Sequence, residues 1–568
     1  MSSRKSDRLR GRGLSLTLPS LILLVVVFLA SMETIGEFSF HEFVPNGDNI
    51  VGSLHSWRNF LTDPATWRVV GETLAVATTV TLVLAVVGYL TAYALFSIRR
   101  TVGRNLGLFI VFSSLMFSGI ASVYAWQLLL GRAGMINSAL GVLGLGPFDL
   151  LYSRIAVVIA LVHTLLPIMV FPIFNTLGQI DGALTEVADD LGASRWRTFS
   201  RVTLPLSAPG LLAGCQLVFA ISISAFAAPA LLGGGRVQVL STTVYSLVNV
   251  SNFPVASVAS LVLLIVALLS VGVFGLIQRR LPRSDSGGVT ATPPKPAGVR
   301  LLGGWLGLVY VFQLITAFIV IVSSFSSVSY GQWPPPGFSL RWYTNLAEQD
   351  GVLAATASSL IVAAAVTVLA VVIGIMAAVG LTRHRLPAGP LINAAILSPT
   401  VVPKVAFGFA VFMLVYRLGL EPGRVALVLT HLVACIPFVV VIVSAGLLRA
   451  DRTVEDAAVD LGAHRVRAFL STTLPQIRPS VAVGALFAFL VSFNELDLSL
   501  FLLNADTKTL PVWMFNYLNN YQDPTPAALS TIMGLTSVVV ALVAVPFVVR
   551  RGRGTAPAGQ ALGLPGGR

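Results

Sequence analysis

The stretch Thr185–Gly214, TEVADDLGASRWRTFSRVTLPLSAPGLLAG, returns without a gap as Glu455–Gly484, EDAAVDLGAHRVRAFLSTTLPQIRPSVAVG. Of the 30 aligned positions 13 are identical, including Gly192 and Gly462, Leu204-Pro205 and Leu474-Pro475, and Pro209 and Pro479. A repeat of this length near the middle of each half means that the chain is two copies of one unit. Glu186, Asp189 and Asp190, and Glu455, Asp456 and Asp460, are acids expected at or near a helix N-terminus, where the macrodipole favours negative charge. Val187, Ala188 and Leu191 share one helical face, as do Ala457, Ala458 and Leu461. Gly192 and Gly462 suit a left-handed C-cap, and Ser194 suits the N-cap of the next helix. Pro205 and Pro475 are expected to end that second helix, just before an apolar span. Each copy thus reads as a two-helix knob on one side of a membrane.

Composition sets the class independently. The chain has 568 residues, 55% hydrophobic and 11% charged, with a mean hydropathy of +0.85, which fits a polytopic membrane protein and excludes a soluble enzyme. Cys215 and Cys435 lie in separate apolar spans, so neither a disulfide framework nor a metal site is implied.

Twelve apolar spans are legible, six in each half. The first half has spans at about residues 14–31, 69–98, 106–130, 155–176, 211–232 and 256–277, and the second at 301–325, 352–381, 391–416, 425–448, 481–503 and 527–549; most reach the roughly 20 residues a bilayer requires. The first reads as a retained span or a signal sequence, and the comparable span that opens the second half favours retention. The halves cover residues 1–277 and 301–568, and the Pro-, Gly- and Ser-rich segment 278–300 reads as a linker. With both termini in the cytoplasm, 26 of the 37 Lys and Arg fall in cytoplasmic segments. That asymmetry fits the positive-inside rule and accounts for the net charge of +13 without a nucleic-acid partner. Both knobs then face the cytoplasm.

Ionisable groups inside spans are costly and therefore candidates for the solute pathway. Lys404 stands in the ninth span, and Asn494, Glu495 and Asp497 in the eleventh. Straight helices rising 1.5 Å per residue would carry Lys404 about 20 Å and Glu495 about 22 Å from the cytoplasmic ends of their spans, within reach of each other either as a structural pair or as part of a cavity. On a straight helix Glu495 and Asp497 point apart, while Asn494 and Asp497 share a face. In the first half Ser224, Ala225 and Ala227 occupy the matching positions, so charge is expected mainly on the second-half side. His163 and His431 fall at similar points of the fourth and tenth spans, where a bond to a neighbouring helix carbonyl is the expected role.

The paired knobs resemble the EAA loops of ABC importer permeases, whose pattern is roughly E-A-A-x-x-x-G followed by L-P. Here Glu186, Ala188, Gly192, Leu204 and Pro205 match in the first copy, and Asp456, Ala458, Gly462, Leu474 and Pro475 in the second; Val187 and Asp456 are mild departures. The resemblance implies an all-α type I importer permease fold, with each knob docked on one of two copies of a cytoplasmic ATP-binding subunit. It also implies an external solute-binding protein and a place in the bacterial inner membrane. No G-x-x-x-x-G-K-[ST] run occurs, so ATP and magnesium belong to the partner subunits and this chain is not itself an enzyme. Tyr124-Ala125-Trp126, Ile136-Asn137-Ser138 and Pro229 to Gly234 look like the first permease of spermidine/putrescine-type importers. Pro399 to Val405, Ser492 to Glu495 and Thr509-Leu510-Pro511 look like its partner permease. The resemblance implies a fusion of the two and adds Tyr124 to the candidate pathway. Ferric-iron, aminoethylphosphonate and opine importers share much of the pattern and stay open as alternatives. An ion-coupled secondary transporter would require a chain of intramembrane acids that the sequence lacks, and a membrane enzyme a nucleophile, base and metal that do not converge.

Overall fold

The computed structural model describes residues 2–45, 49–280, 299–329, 331–384, 386–504 and 507–549; most of the expected linker lies outside them. Among the described residues ten helices are long and apolar enough to cross a membrane, or twelve if each of two bent helix pairs counts as one span. Apart from a two-stranded ribbon pairing His41–Glu42 with Ile50–Val51 and a single bridge, Ser326 to Phe338, the described residues are helical or irregular. A helical architecture follows from the solvent, because a segment in lipid must satisfy its own backbone polar groups.

Each half is built on the same three helices. In the first half Pro64–Phe96, Arg154–Leu177 and the helix ending at Ser224 pack together, and in the second Val352–Arg383, Arg424–Arg449 and the helix ending at Phe493. The internal symmetry reaches single contacts. A Cβ on Gly88 would lie 2.4 Å from Met169 Cγ, and one on Gly374 would lie 2.6 Å from Val439 Cγ1. Small residues let helix backbones approach closely where lipid supplies no hydrophobic drive.

The opening helix of each half crosses to the other. The first, Gly13–Phe38, lies along Val352–Arg383; a Cβ on Gly380 would meet Thr17 Cγ2 at 2.7 Å, and Arg417 bonds Glu33 at 3.0 Å and Glu37 at 2.6 Å. Reciprocally, Val299–Ser324 packs on the first half, with Trp305 Nε1 donating to Thr91 Oγ1 at 3.2 Å and Gln313 Nε2 to the Val111 carbonyl at 2.9 Å. This exchange joins two sequence repeats into one body.

Four expected spans depart from straight helices. The third and ninth each bend by 95°, between Met116 and Gly119 and between Thr400 and Lys404. Pro399 and Pro403 explain the second break, since neither ring nitrogen can donate to the helix ladder. The eleventh stops at Phe493, where Asn494 caps the helix and turns follow as far as 502. The fifth stops likewise at Ser224, then resumes as Ala227–Leu232. Lys404 therefore begins a new helix after a bend and Glu495 follows a helix end, so the straight-helix depths and the shared face of Asn494 and Asp497 do not apply.

Candidate functional site

The knob helices are Gly182–Asp190 and Thr453–Asp460. Gly192 and Gly462 have φ of +74° and +92°, as the left-handed cap requires. The Ala193 and Ala463 amides donate to the carbonyls of Ala188 and Ala458, both at 3.0 Å, closing the six-to-one bond of a Schellman motif. Ser194 accepts from the Arg197 amide at 3.4 Å to start the next helix; His464 Nδ1 does the same for Val466 in the second copy.

Two local expectations change. Only Glu455 and Asp456 occupy a first turn; Asp189, Asp190 and Asp460 lie at the C-terminal ends, and Glu186 lies mid-helix. Pro205 and Pro475 do not end their helices. Phe199–Thr203 and Phe469–Thr473 wind as π turns and lead directly into Leu204–Ser224 and Leu474–Phe493. The Leu204 and Leu474 amides bond back to Phe199 and Phe469. A proline removes one ladder bond, and the locally widened helix absorbs the loss without breaking.

The apolar face of each knob is open. Leu191 is 81% exposed, Leu461 90% and Trp196 72%. Large apolar side chains thus stand together in the open on a polar loop.

The structure brings two of the candidate pathway residues into contact. Lys404 Nζ donates to Glu495 Oε2 at 2.6 Å, with Glu495 5% exposed and Lys404 47%. Glu495 Oε1 also accepts from the Leu498 amide at 3.4 Å. Gly408 holds the segment close, since a Cβ there would sit 2.9 Å from the Leu498 carbonyl oxygen. Asn494 donates to the Leu490 carbonyl of its own helix at 3.0 Å. Asp497 is half-buried and forms no salt bridge among the described residues. Tyr124 is buried in another cluster with Tyr517 and Asp523 as its electrostatic neighbours, and the Ser224 hydroxyl is taken by the Ile221 carbonyl at 3.0 Å.

The histidines divide. His163 Nε2 lies 3.4 Å from the Gln313 carbonyl and 3.1 Å from Thr316 Oγ1, meeting the carbonyl expectation and tying the exchanged helix to the first half. His431 instead bridges the hydroxyls of Ser492 at 2.9 Å and Ser499 at 3.0 Å, bracing the turn that carries Glu495.

Two cavities lie between the halves, and neither was legible in the sequence. One of about 410 Å³ is lined by Tyr245, Asn249, Asn504, Lys508 and Asn516 among others. Its neighbour, about 630 Å³, shares Tyr245 and Asn516 and adds Asp63, Gln238 and Asn519. A packed group of rings, Phe226, Tyr245, Phe501 and Phe515, borders them, with centroids 5.0 to 6.2 Å apart. Leu240–Asn249 and Leu510–Asn520, the helices that supply Tyr245, Asn249, Phe515, Asn516 and Asn519, stand at matching points of the two repeats. Their sequences have diverged too far for the repeat alone to single them out.

Residues 86–284 and 370–554 match the family described as the binding-protein-dependent transport system inner membrane component. The chain belongs to that family. Its two matches, one in each half, fit a fusion of two permeases of the ABC importer class. The chain is 30% identical over 246 residues to the spermidine/putrescine transport system permease protein PotC of Escherichia coli, covering 43% of this chain and 92% of PotC. It is 31% identical over 266 residues to PotB of the same organism, covering 46% of this chain and 94% of PotB, and 30% identical over 269 residues to PotB of Haemophilus influenzae, covering 47% and 90%. Among solved structures, a bacterial alginate ABC transporter in complex with its pentasaccharide-bound periplasmic protein aligns at 19% identity and a TM-score of 0.41, over 46% of this chain and 92% of that one.

Proposed function

We propose that this permease conducts a small organic cation of the polyamine class, delivered by an external binding protein, into the cytoplasm. In this reading both termini and both knobs face the cytoplasm, and each knob docks on one copy of an ATP-hydrolysing subunit. The observation that carries the coupling part is the pair of matched knobs whose Leu191 and Leu461 stand exposed on Schellman-capped helices. Two such surfaces suit two copies of one partner. Rocking of the halves would then alternate access to a site between them.

The cation assignment draws on the relatives PotB and PotC and on Asp497, a half-buried carboxylate that forms no ion pair among the described residues, beside one that has Lys404. A carboxylate held away from water favours a cationic visitor. Uptake of labelled spermidine or putrescine by vesicles containing the permease, its ATPase and its binding protein tests the assignment. Asp497→Asn should lower that uptake by about ten-fold, the loss expected from one charge-assisted contact of roughly 1.5 kcal/mol. Full uptake by this variant would remove Asp497 from the pathway, and failure of the intact complex to move either amine would remove the polyamine.

One observation favours a second reading. Lys508 lines the cavity of about 410 Å³ together with three asparagines and Tyr245, a lining suited to an anionic group such as the phosphonate of aminoethylphosphonate. Lys508→Gln should impair uptake of such an anion and leave amine uptake intact.

A further inference from the structure

The two knobs are fixed to their membrane cores by different chemistry. In the second half Arg383 ends the long helix Val352–Arg383, where the helix dipole favours a cation. Its guanidinium forms an ion pair with Glu455 of the knob helix and donates to Thr473 Oγ1 at 3.4 Å, and the Thr473 hydroxyl donates to the same Glu455 oxygen. The guanidinium also stands over the Phe469 ring, 5.9 Å from its centroid. The triangle is sheltered, with Arg383 10% and Glu455 19% exposed. Burial alone would raise the Glu455 carboxyl, but the Thr473 hydroxyl and Arg383 hold it below the usual carboxylate range.

Among the described residues the first half shows no such triangle. The equivalent close glycines Gly88 and Gly374 set the register between the long helices and place Ser97 opposite Arg383; the repeat places Thr185 opposite Glu455. Among the described residues the Ser97 and Thr185 hydroxyls donate to nearby carbonyls, of Tyr93 and Gly182, at 2.8 Å each. Rings take their place. Phe199, the counterpart of Phe469, packs edge-on against Tyr89 at 5.9 Å and Tyr93 at 5.4 Å and stacks with Trp196 at 5.6 Å. The same register puts Ile375 and Val379 where the two tyrosines would be.

We infer that Arg383, Glu455 and Thr473 form a charge latch that positions the second knob for its ATPase, while stacked rings position the first, so that the two partner contacts are of unequal character. This rests on the reading of the knobs as ATPase-docking loops. The latch crosses from the knob helix to the π turn and to the core helix, the three parts that must move together if a push on the knob is to reach the membrane. A buried pair missing one partner leaves an uncompensated charge, so the second knob alone should lose its setting when the latch is cut.

The test uses the full chain assembled with its ATP-hydrolysing subunit. Single cysteines at Leu191 or Leu461 are cross-linked to a cysteine in the ATPase, and ATP hydrolysis is measured in parallel. Arg383→Gln should lower the Leu461 cross-link by about ten-fold and leave the Leu191 cross-link unchanged. Phe199→Leu should do the reverse. Exchanging the charges, Arg383→Glu with Glu455→Arg, should restore the Leu461 cross-link to within about two-fold, which a purely packing role does not achieve. An unchanged Leu461 yield in Arg383→Gln, an equal fall at both positions, or no restoration on charge exchange overturns the latch. Should Arg383→Gln fail to fold by thermal melting, Thr473→Val replaces it, with a Leu461-selective loss expected and an unchanged yield overturning the latch. Absence of both cross-links in the unmodified complex would instead overturn the docking reading beneath it.

Discussion

Valine at Gly192 and Gly462 together should nearly abolish coupling of ATP hydrolysis to transport while leaving the chain folded in the membrane. The residues have φ of +74° and +92°, and an added Cβ at either meets nothing within 4 Å. The cost is therefore one of backbone conformation and not of collision. A left-handed conformation costs an ordinary L-residue roughly 1–2 kcal/mol and a β-branched one more. At either site the chain can escape the strain by opening the cap that joins the two knob helices, which frees the Ala188 or Ala458 carbonyl and re-aims Leu191 or Leu461. Each single valine should lower substrate-stimulated ATPase by about ten-fold, at roughly 1.4 kcal/mol per decade. Asparagine, which tolerates the left-handed region, should retain most of the activity, with alanine in between. This order separates a backbone requirement from a side-chain one. Stimulation that stays normal with valine at both positions would show that the caps do not set the coupling surface.

The knobs were legible because their determinants are local. A glycine in a fixed register to a helix end needs no knowledge of the rest of the fold, and duplication printed it twice, at Gly192 and Gly462. Apolar runs long enough for a bilayer carried the span count in the same way. Hydropathy carried no information on where a span breaks. Leu391 to Tyr416 reads as one apolar run, yet Pro399 and Pro403 bend it by 95°, and Val481 to Leu503 reads through a helix end at Phe493. The proline signal was present and outweighed by hydropathy; the end at Phe493 has no comparable mark. The Arg383 latch was hidden for another reason. Its members are 72 and 90 residues apart in sequence, so only the packed fold shows that they meet.

The bend and the helix end together create the contact on which the last prediction stands. Lys404 starts one helix and Glu495 follows another, and their charges meet at 2.6 Å with the Glu495 side chain 5% exposed and the Lys404 side chain 47%. The burial is unequal, so the two single substitutions should be unequal too. Lys404→Met strips the counter-charge from a buried carboxylate, a change that costs roughly 3–5 kcal/mol, and should lower the melting temperature of the purified chain markedly. Glu495→Gln leaves the charge on Lys404, whose side chain is far less buried than that of Glu495, so its cost should be the smaller of the two, nearer that of an exposed pair, up to about 1 kcal/mol. Glutamine can still accept from the Leu498 amide. The double variant has no buried charge and should recover most of the stability lost in Lys404→Met. Uptake in the double variant then separates a brace from a pathway. A pair that only braces the turn leaves transport intact once stability returns, whereas a pair touched by the solute leaves a stable permease that no longer conducts. Equal destabilisation by the two single substitutions would contradict the asymmetry of burial from which the prediction is drawn.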